Sequence, residues 1–219
     1  MPALLLDLDG TMLDTDRLHL AVFAELMAPF GIGVDEAHYR AHIHGRRNTD
    51  YFAEAIPDHP DPDGLSDAKE AAFRDILPRP YPSLPGLAAM LDRARAEGWG
   101  LAVVTNAPPE NAEAMLGAIG LRDRFAVVIH GESCPQGKPH PAPYLAALDQ
   151  LGAEPGAALA FEDSPAGLKA AVAARIPTVG VTSSLPAPEL LALGATATIA
   201  DFTDPALVPL LDRLNGVTA

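Results

Sequence analysis

The sequence is short of several things, and each shortage excludes a class of function. It holds one cysteine, Cys134, so neither an internal disulfide framework nor a thiolate metal cluster is available to it. Cys134 has no evident partner base, and no role is expected of it. No apolar run approaches the ~18 residues of a membrane span, so no membrane role is expected. Basic residues are scarce: 15 Lys and Arg stand against 29 Asp and Glu, a formal charge of −14. A field of that sign repels nucleic acid and anionic lipid, and it poses a question if the substrate is itself an anion. Met1-Pro2-Ala3 runs straight into Leu4-Leu5-Leu6-Asp7, without a basic leader or a small-residue cleavage site. A soluble cytoplasmic protein is therefore expected, and a monomer or weak dimer is expected as well. No fixed-period repeat is visible, which argues against a solenoid.

What is present is a chain of 219 residues, 48% hydrophobic and 20% charged, long enough for one to two domains with a buried core. Short apolar runs at 3–8, 101–105, 126–129, 157–161, 178–181 and 197–199 read as buried strands. Helical patterns at 84–97, 109–119, 141–151, 165–174 and 186–193 separate most of them, several opening at Pro and ending at Gly. Such alternation predicts an α/β fold, a Rossmann-like parallel sheet covered on both faces.

The alternation breaks once, after the first strand. From about Arg17 to Leu77 the chain reads as helices only. Leu18, Val22, Leu26 and Phe30 recur every four residues behind the candidate cap Asp16, and further helices are expected from Asp35, Asn48 and Ser66. The stretch 57–64 reads as a turn-rich connector, and 78–82 as a stiff return linker. The expected organisation is an α/β core of residues 1–15 and 79–219 with an inserted all-helical domain of residues 16–78. Ligand sites are expected in a cleft between the two.

Asp7-Leu8-Asp9-Gly10-Thr11 closes the first strand. Carboxylates at the end of a Leu-rich buried strand need a reason, and the carboxyl ends of parallel strands are where open sheets bind ligands. Phe161-Glu162-Asp163-Ser164 repeats the arrangement at the end of a later strand. If the two strands are neighbours, their acids converge and repel one another unless a hard cation such as Mg2+ sits among them. Val104-Thr105-Asn106 ends another strand, and Gly137-Lys138-Pro139-His140-Pro141 precedes a helix. Taken singly, each has a plain alternative: a turn for Asp-x-Asp-Gly, helix caps for Thr105, Glu162 and Asp163, a solvated cation for Lys138. Together they form a set suited to phosphoryl transfer, which asks for positioning and charge neutralisation.

In order along the chain, these four segments resemble the four motifs of the haloacid dehalogenase superfamily. More narrowly, the sequence is similar to its β-phosphoglucomutase-like phosphatases, which carry a helical cap after the first motif. The resemblance spans essentially the whole chain. It implies that Asp7 attacks phosphorus and becomes an aspartyl phosphate, and that Asp9 protonates the leaving oxygen and then activates water. It implies phosphoryl binding by Thr105, Asn106 and Lys138. It also implies a Mg2+ site of Asp7, the Asp9 main-chain carbonyl and Asp163, with Glu162 supporting directly or through water. An acid at Asp9 marks a phosphotransferase, because an alkoxide leaving group needs a proton whereas a halide does not.

Specificity is expected in the cap. His19 stands where the mutase branch also has a histidine, Gly45-Arg46-Arg47-Asn48 resembles that branch's substrate loop, and Lys69 is a candidate match for a cap lysine. A second phosphate or carboxylate on the substrate would suit these groups. Each has a plain alternative too, His19 as a first-helix surface residue and Arg46-Arg47 as a solvated turn. Thr105-Asn106-Ala107-Pro108 is similar to the plain phosphatases rather than the mutases. Mg2+-dependent hydrolysis of a small phosphorylated metabolite, a sugar phosphate or phosphoglycolate-like acid, is therefore expected. A β-phosphoglucomutase-type isomerase is the alternative, and a phosphonate hydrolase fits less well because its cap lysine has no clear counterpart. A phospho-receiver signalling module is the alternative from another class, opposed by the helical insert and the Asp-x-Asp spacing. His38 and His42, four apart, with His44 beyond, have a spacing able to bind zinc and read as a hydrated helix face.

Overall fold

A computed structural model describes residues 1–216 of the chain; the last three residues of the expected core domain lie outside the described residues. The described chain divides into two compact units: Met1–Asp14 with the residues from Arg79 onward, and Thr15–Pro78.

The first unit is an α/β sandwich. Its six strands are β1 (Ala3–Leu6), β2 (Gly100–Thr105), β3 (Val127–His130), β4 (Ala158–Glu162), β5 (Thr178–Val181) and β6 (Ala197–Ile199). All pair in parallel, in the order β3-β2-β1-β4-β5-β6. The chain thus winds outward from β1 in one direction and then, from β4, in the other, which leaves a topological switch point beside β1. Every residue of β1 is buried, as expected for a strand covered on both faces. One face packs Leu5, Ala102, Val104, Ile129 and Ala160 against Tyr144, Ala147 and Leu148, the inner side of a helix.

β1 stops at Leu6, two residues before the apolar run ends. The Asp7 N–H still bonds the Phe161 carbonyl, at 3.0 Å, but from Leu8 the chain turns. The Met12 and Gly10 N–H groups bond the Leu8 and Leu13 carbonyls at 2.7 and 2.8 Å, and Leu8 is buried under the turn.

The second unit is helical: α1 (Asp16–Met27), the short α2 (Glu36–His38) running into a π-turn at Tyr39–Ile43, α3 (Asn48–Ala55) and α4 (Pro62–Ile76). Phe23, Met27, Val34, Tyr39, Ile43, Tyr51 and Phe52 form its core. The four-residue spacing in α1 misplaces that core. A 3.6-residue period drifts from a strict spacing of four, so Val22, Phe23 and Met27 are the buried positions while Phe30 is exposed beyond the helix end. Asp16 is the first helical residue and Thr15 the cap position. α4 begins at Pro62, earlier than Ser66, because Pro at the first position and Asp61 as cap (its Oδ1 accepting from Gly64 N at 2.8 Å) make a helix start of the supposed connector.

The remaining helices, all in the α/β unit, are α5 (Leu87–Ala96), α6 (Pro109–Ala118), α7 (Ala142–Leu151), α8 (Pro165–Ala173), α9 (Ala187–Ala192) and α10 (Leu207–Asn215). Among the described residues, no helix is long and apolar enough to cross a membrane.

Candidate active site

Because β1 and β4 are neighbours, Asp7 follows one strand at the switch point while Glu162 ends the other and Asp163 follows it. Asp7, Glu162 and Asp163 are buried, and each offers a carboxylate oxygen within 4.8 Å of the others. Lys138, itself buried, places its Nζ 2.5 Å from Asp7 Oδ1 and 2.5 Å from Glu162 Oε1. One ammonium thus serves two acids.

That balance is strained electrostatically. Burial, acting against the pull of Lys138 and helped by Glu162 and Asp9, pushes the Asp7 carboxyl up to about 7. Burial and the charges of Asp7 and Glu162 raise Asp163 well above the usual carboxylate range, with the Ser184 hydroxyl acting the other way. Burial alone would discharge Lys138, but Asp7 and Glu162 outweigh it and hold its pKa above the ordinary value. A cluster of this kind carries excess negative charge that a hard divalent cation neutralises, and its all-oxygen donor set fits Mg2+ rather than a thiophilic metal. The Asp9 carboxylate stands outside the group of three, half-buried, close enough to raise both Asp7 and Asp163.

The surrounding polar groups are anchored by local structure. Ser164 caps α8, its Oγ accepting from Gly167 N at 3.0 Å, so Glu162 and Asp163 are not spent as helix caps. Thr11 Oγ1 donates to Asp163 Oδ1 at 3.2 Å, Ser184 donates to Asp163 Oδ2, and Ser183 donates to the Gly10 carbonyl. Thr105, buried at the end of β2, accepts from Ala107 N at 3.0 Å. Asn106 uses both ends of its amide on the Lys138 main chain, accepting from its N–H and donating to its carbonyl, each at 3.0 Å. Asn106 is therefore a brace for the lysine loop.

The helical unit holds the other expected site residues. Lys69 is buried, with Nζ 2.8 Å from His19 Nδ1 and 3.0 Å from Glu70 Oε1, lying over the rings of Phe23 and Phe73. His19 stacks on Phe73 with ring centroids 4.1 Å apart. Gly45 has φ +74°, which suits the sharp turn into the arginine pair. Arg46 bonds Glu54 at 2.8 Å and the His42 carbonyl at 3.0 Å, while Arg47 grips Asp50 through two bonds of 2.8 and 3.0 Å. Both guanidinium groups are thus paired with acids of α3. His38 Nε2 lies 3.0 Å from the Tyr51 hydroxyl, and its ring packs 4.7 Å from that of His42.

A family model described as haloacid dehalogenase-like hydrolase matches residues 1–175. The chain belongs to that family. Among its relatives, protein CbbY of Rhodobacter capsulatus is 34% identical over 191 residues, covering 82% of this chain and 84% of that protein. Fructose-1-phosphate phosphatase YqaB of Escherichia coli is 31% identical over 186 residues, covering 81% and 95%. Among solved structures, a variant of CbbY from Rhodobacter sphaeroides in complex with xylulose-(1,5)bisphosphate is 28% identical with a TM-score of 0.81, covering 93% of this chain and 96% of that one.

The sequence motifs name the acids, Thr105 and Lys138 but leave several groups of this candidate site unassigned. Thr11 and Ser164 stand inside the motifs without a role, although a hydroxyl beside a buried acid is itself a signal. Ser183, Ser184 and Tyr144 reach the cluster only through tertiary packing. The Tyr144 hydroxyl donates to Glu162 Oε1 at 2.7 Å, a contact that no local pattern announces.

Proposed function

We propose that this enzyme hydrolyses a small phosphomonoester, a sugar phosphate or phosphoglycolate-like acid, with Mg2+ as cofactor and Asp7 as the group that carries the phosphoryl to water. As a haloacid dehalogenase-like hydrolase with a named phosphatase among its relatives, it is a phosphoric monoester hydrolase. The observation that carries the finer reading is the buried set at the switch point: Asp7 held 2.5 Å from Lys138 within a cluster of three carboxylates.

Asp7, Asp163 and the Asp9 main-chain carbonyl would hold the cation, with Glu162 supporting. When bound, the cation withdraws charge from the phosphoryl oxygens and brings the negative phosphate into an acidic site. Lys138 draws Asp7 toward its ionised form against the opposing effect of burial and, with Thr105, binds phosphoryl oxygens. An Asp7 carboxylate oxygen bonds to phosphorus as the bond to the leaving oxygen breaks, and Asp9 gives that oxygen its proton. Asp9, now a carboxylate, takes a proton from water, and the water oxygen displaces Asp7 from phosphorus. Inorganic phosphate leaves and Asp7 is restored. We assign substrate selection to His19, Gly45, Arg46, Arg47 and Lys69, where a second anionic group of the substrate would compete with Glu54, Asp50 and Glu70 for the three cations. A sugar bisphosphate in a relative's complex and fructose 1-phosphate in a relative's name support that choice of substrate class.

The test is turnover of p-nitrophenyl phosphate followed by a screen of phosphorylated metabolites. Many phosphates released per chain, loss on chelation with EDTA, and a fall of at least about a thousandfold in Asp7→Asn are expected. A single stoichiometric phosphorylation without turnover would instead indicate a receiver-like module, and phosphate exchange without net release would indicate a mutase.

A further inference from the structure

We propose that the loop 182–186, which joins β5 to α9, is a clasp on the cation site: Ser184 and Ser183 hold Asp163 and the turn after Asp9 where they would bind Mg2+. Both serines are positioning residues. The proposal rests on the phosphatase reading above and deepens it.

In the sheet, β4 lies between β1 and β5, so a loop from the end of β5 reaches the turn after β1 only by crossing the end of β4. Two neighbouring side chains make that crossing. Ser184 donates to Asp163 Oδ2, and Ser183 donates to the Gly10 carbonyl. The loop is itself secured at both ends. The Thr182 N–H bonds the Ile199 carbonyl of β6 at 2.9 Å, and the Pro186 carbonyl accepts from the Glu189 N–H of α9 at 3.0 Å. Between these ends, Leu185 packs against the cluster of Leu168, Leu190 and Ala195.

Asp163 is gripped from several sides. Ser184 takes Oδ2, the Thr11 hydroxyl takes Oδ1 at 3.2 Å, and the Gly10 backbone comes so close that a Cβ there would lie 2.1 Å from Oδ2. The carboxyl plane is therefore set, yet each oxygen keeps a second lone-pair direction for a cation. Gly10 is bonded at both ends of its main chain, its N–H to the Leu13 carbonyl at 2.8 Å and its carbonyl by Ser183. That fixes the peptide unit to which the Asp9 carbonyl belongs. One loop thus sets two of the groups assigned to the cation, and groups ordered in advance lose less freedom when the cation binds.

Ser184→Ala removes one hydroxyl from a half-buried position, and Ser184→Thr retains it. Calorimetric titration with Mg2+ alone is the direct measurement, alongside turnover of p-nitrophenyl phosphate as a function of Mg2+. Mg2+ affinity is expected to fall by about tenfold in Ser184→Ala and to return to within about threefold of wild type in Ser184→Thr. Most of the lost turnover should come back as Mg2+ is raised. A loss of affinity under about threefold in Ser184→Ala, or tighter binding, would overturn the proposal, as would a Ser184→Thr variant no better than Ser184→Ala. If Ser184→Ala does not fold, Ser183→Ala decides, because that side chain is exposed: Mg2+ affinity weakened by about threefold or more supports the clasp, and a smaller change overturns it. A wild type that binds Mg2+ without turnover would contradict the phosphatase reading while the titrations still judge the serines, and a wild type that binds no Mg2+ would overturn the clasp itself.

Discussion

At Gly10 the backbone sits at φ +80°, and a Cβ there would lie 2.1 Å from Oδ2 of Asp163. Two costs fall on any side chain at this position: a left-handed backbone worth about 1–2 kcal/mol for an L-residue, and displacement of the Asp163 carboxylate. Gly10→Ala is therefore expected to lose at least about a hundredfold in kcat/KM and to weaken Mg2+ binding, read by steady-state kinetics and calorimetry. Near wild-type values in both would mean that Asp163 does not need its present position. This glycine was legible in the sequence because Gly directly after Asp-x-Asp at a strand end reads as a turn. Asn106 was legible only in part: its place at a strand end is plain, but its amide braces the Lys138 main chain from 32 residues away. Tyr144 was not legible, because its meaning depends on which strand lies next to β1.

At the scale of elements, strand ends and helix starts decide which groups remain available for chemistry. Ser164 caps α8 and so leaves Glu162 and Asp163 free of that duty. In the helical unit, α1, α3 and α4 meet around a polar group that sequence periodicity cannot reveal: Lys69 and Glu70 from α4, His19 from α1 and Asn48 from α3. Burial works to raise the Glu70 carboxyl, but the Lys69 charge and bond, His19 and the Asn48 amide outweigh it and leave its pKa lowered from 4.5. The contribution of Glu70 is thus present above that unfolded value and is lost as the pH falls through the lower folded one. Glu70→Gln leaves the buried Lys69 without its carboxylate and should destabilise the helical unit by about 3 kcal/mol at pH 7. Urea unfolding at pH 7 and near pH 3.5 checks this: the difference between wild type and variant should shrink in acid, and a gap independent of pH would contradict the assignment.

At the scale of the whole molecule, the alternating apolar runs predicted the parallel α/β unit, and the missing strands after β1 predicted the helical insertion. Strand order was not predicted, and it is what brings the acids together: β4 returns to the side of β1 opposite β2, so two motifs more than 150 residues apart share one sheet edge. The charge of −14 raised the question of how an anionic substrate could bind. Net charge is too coarse to answer it. Arg46 and Arg47 are paired with Glu54 and Asp50, so the local positive charge in the site comes from Lys138 and the cation the cluster fits.

Passage of the phosphoryl group through Asp7 can be read by intact-protein and peptide mass spectrometry of the Asp9→Asn variant. With Asp9 proposed as the base that activates water, a stable phosphoryl adduct on the peptide bearing Asp7 is expected in this variant after incubation with Mg2+ and a turned-over phosphomonoester, absent from Asp7→Asn. An unmodified Asp7 with every substrate that the wild type hydrolyses would contradict it.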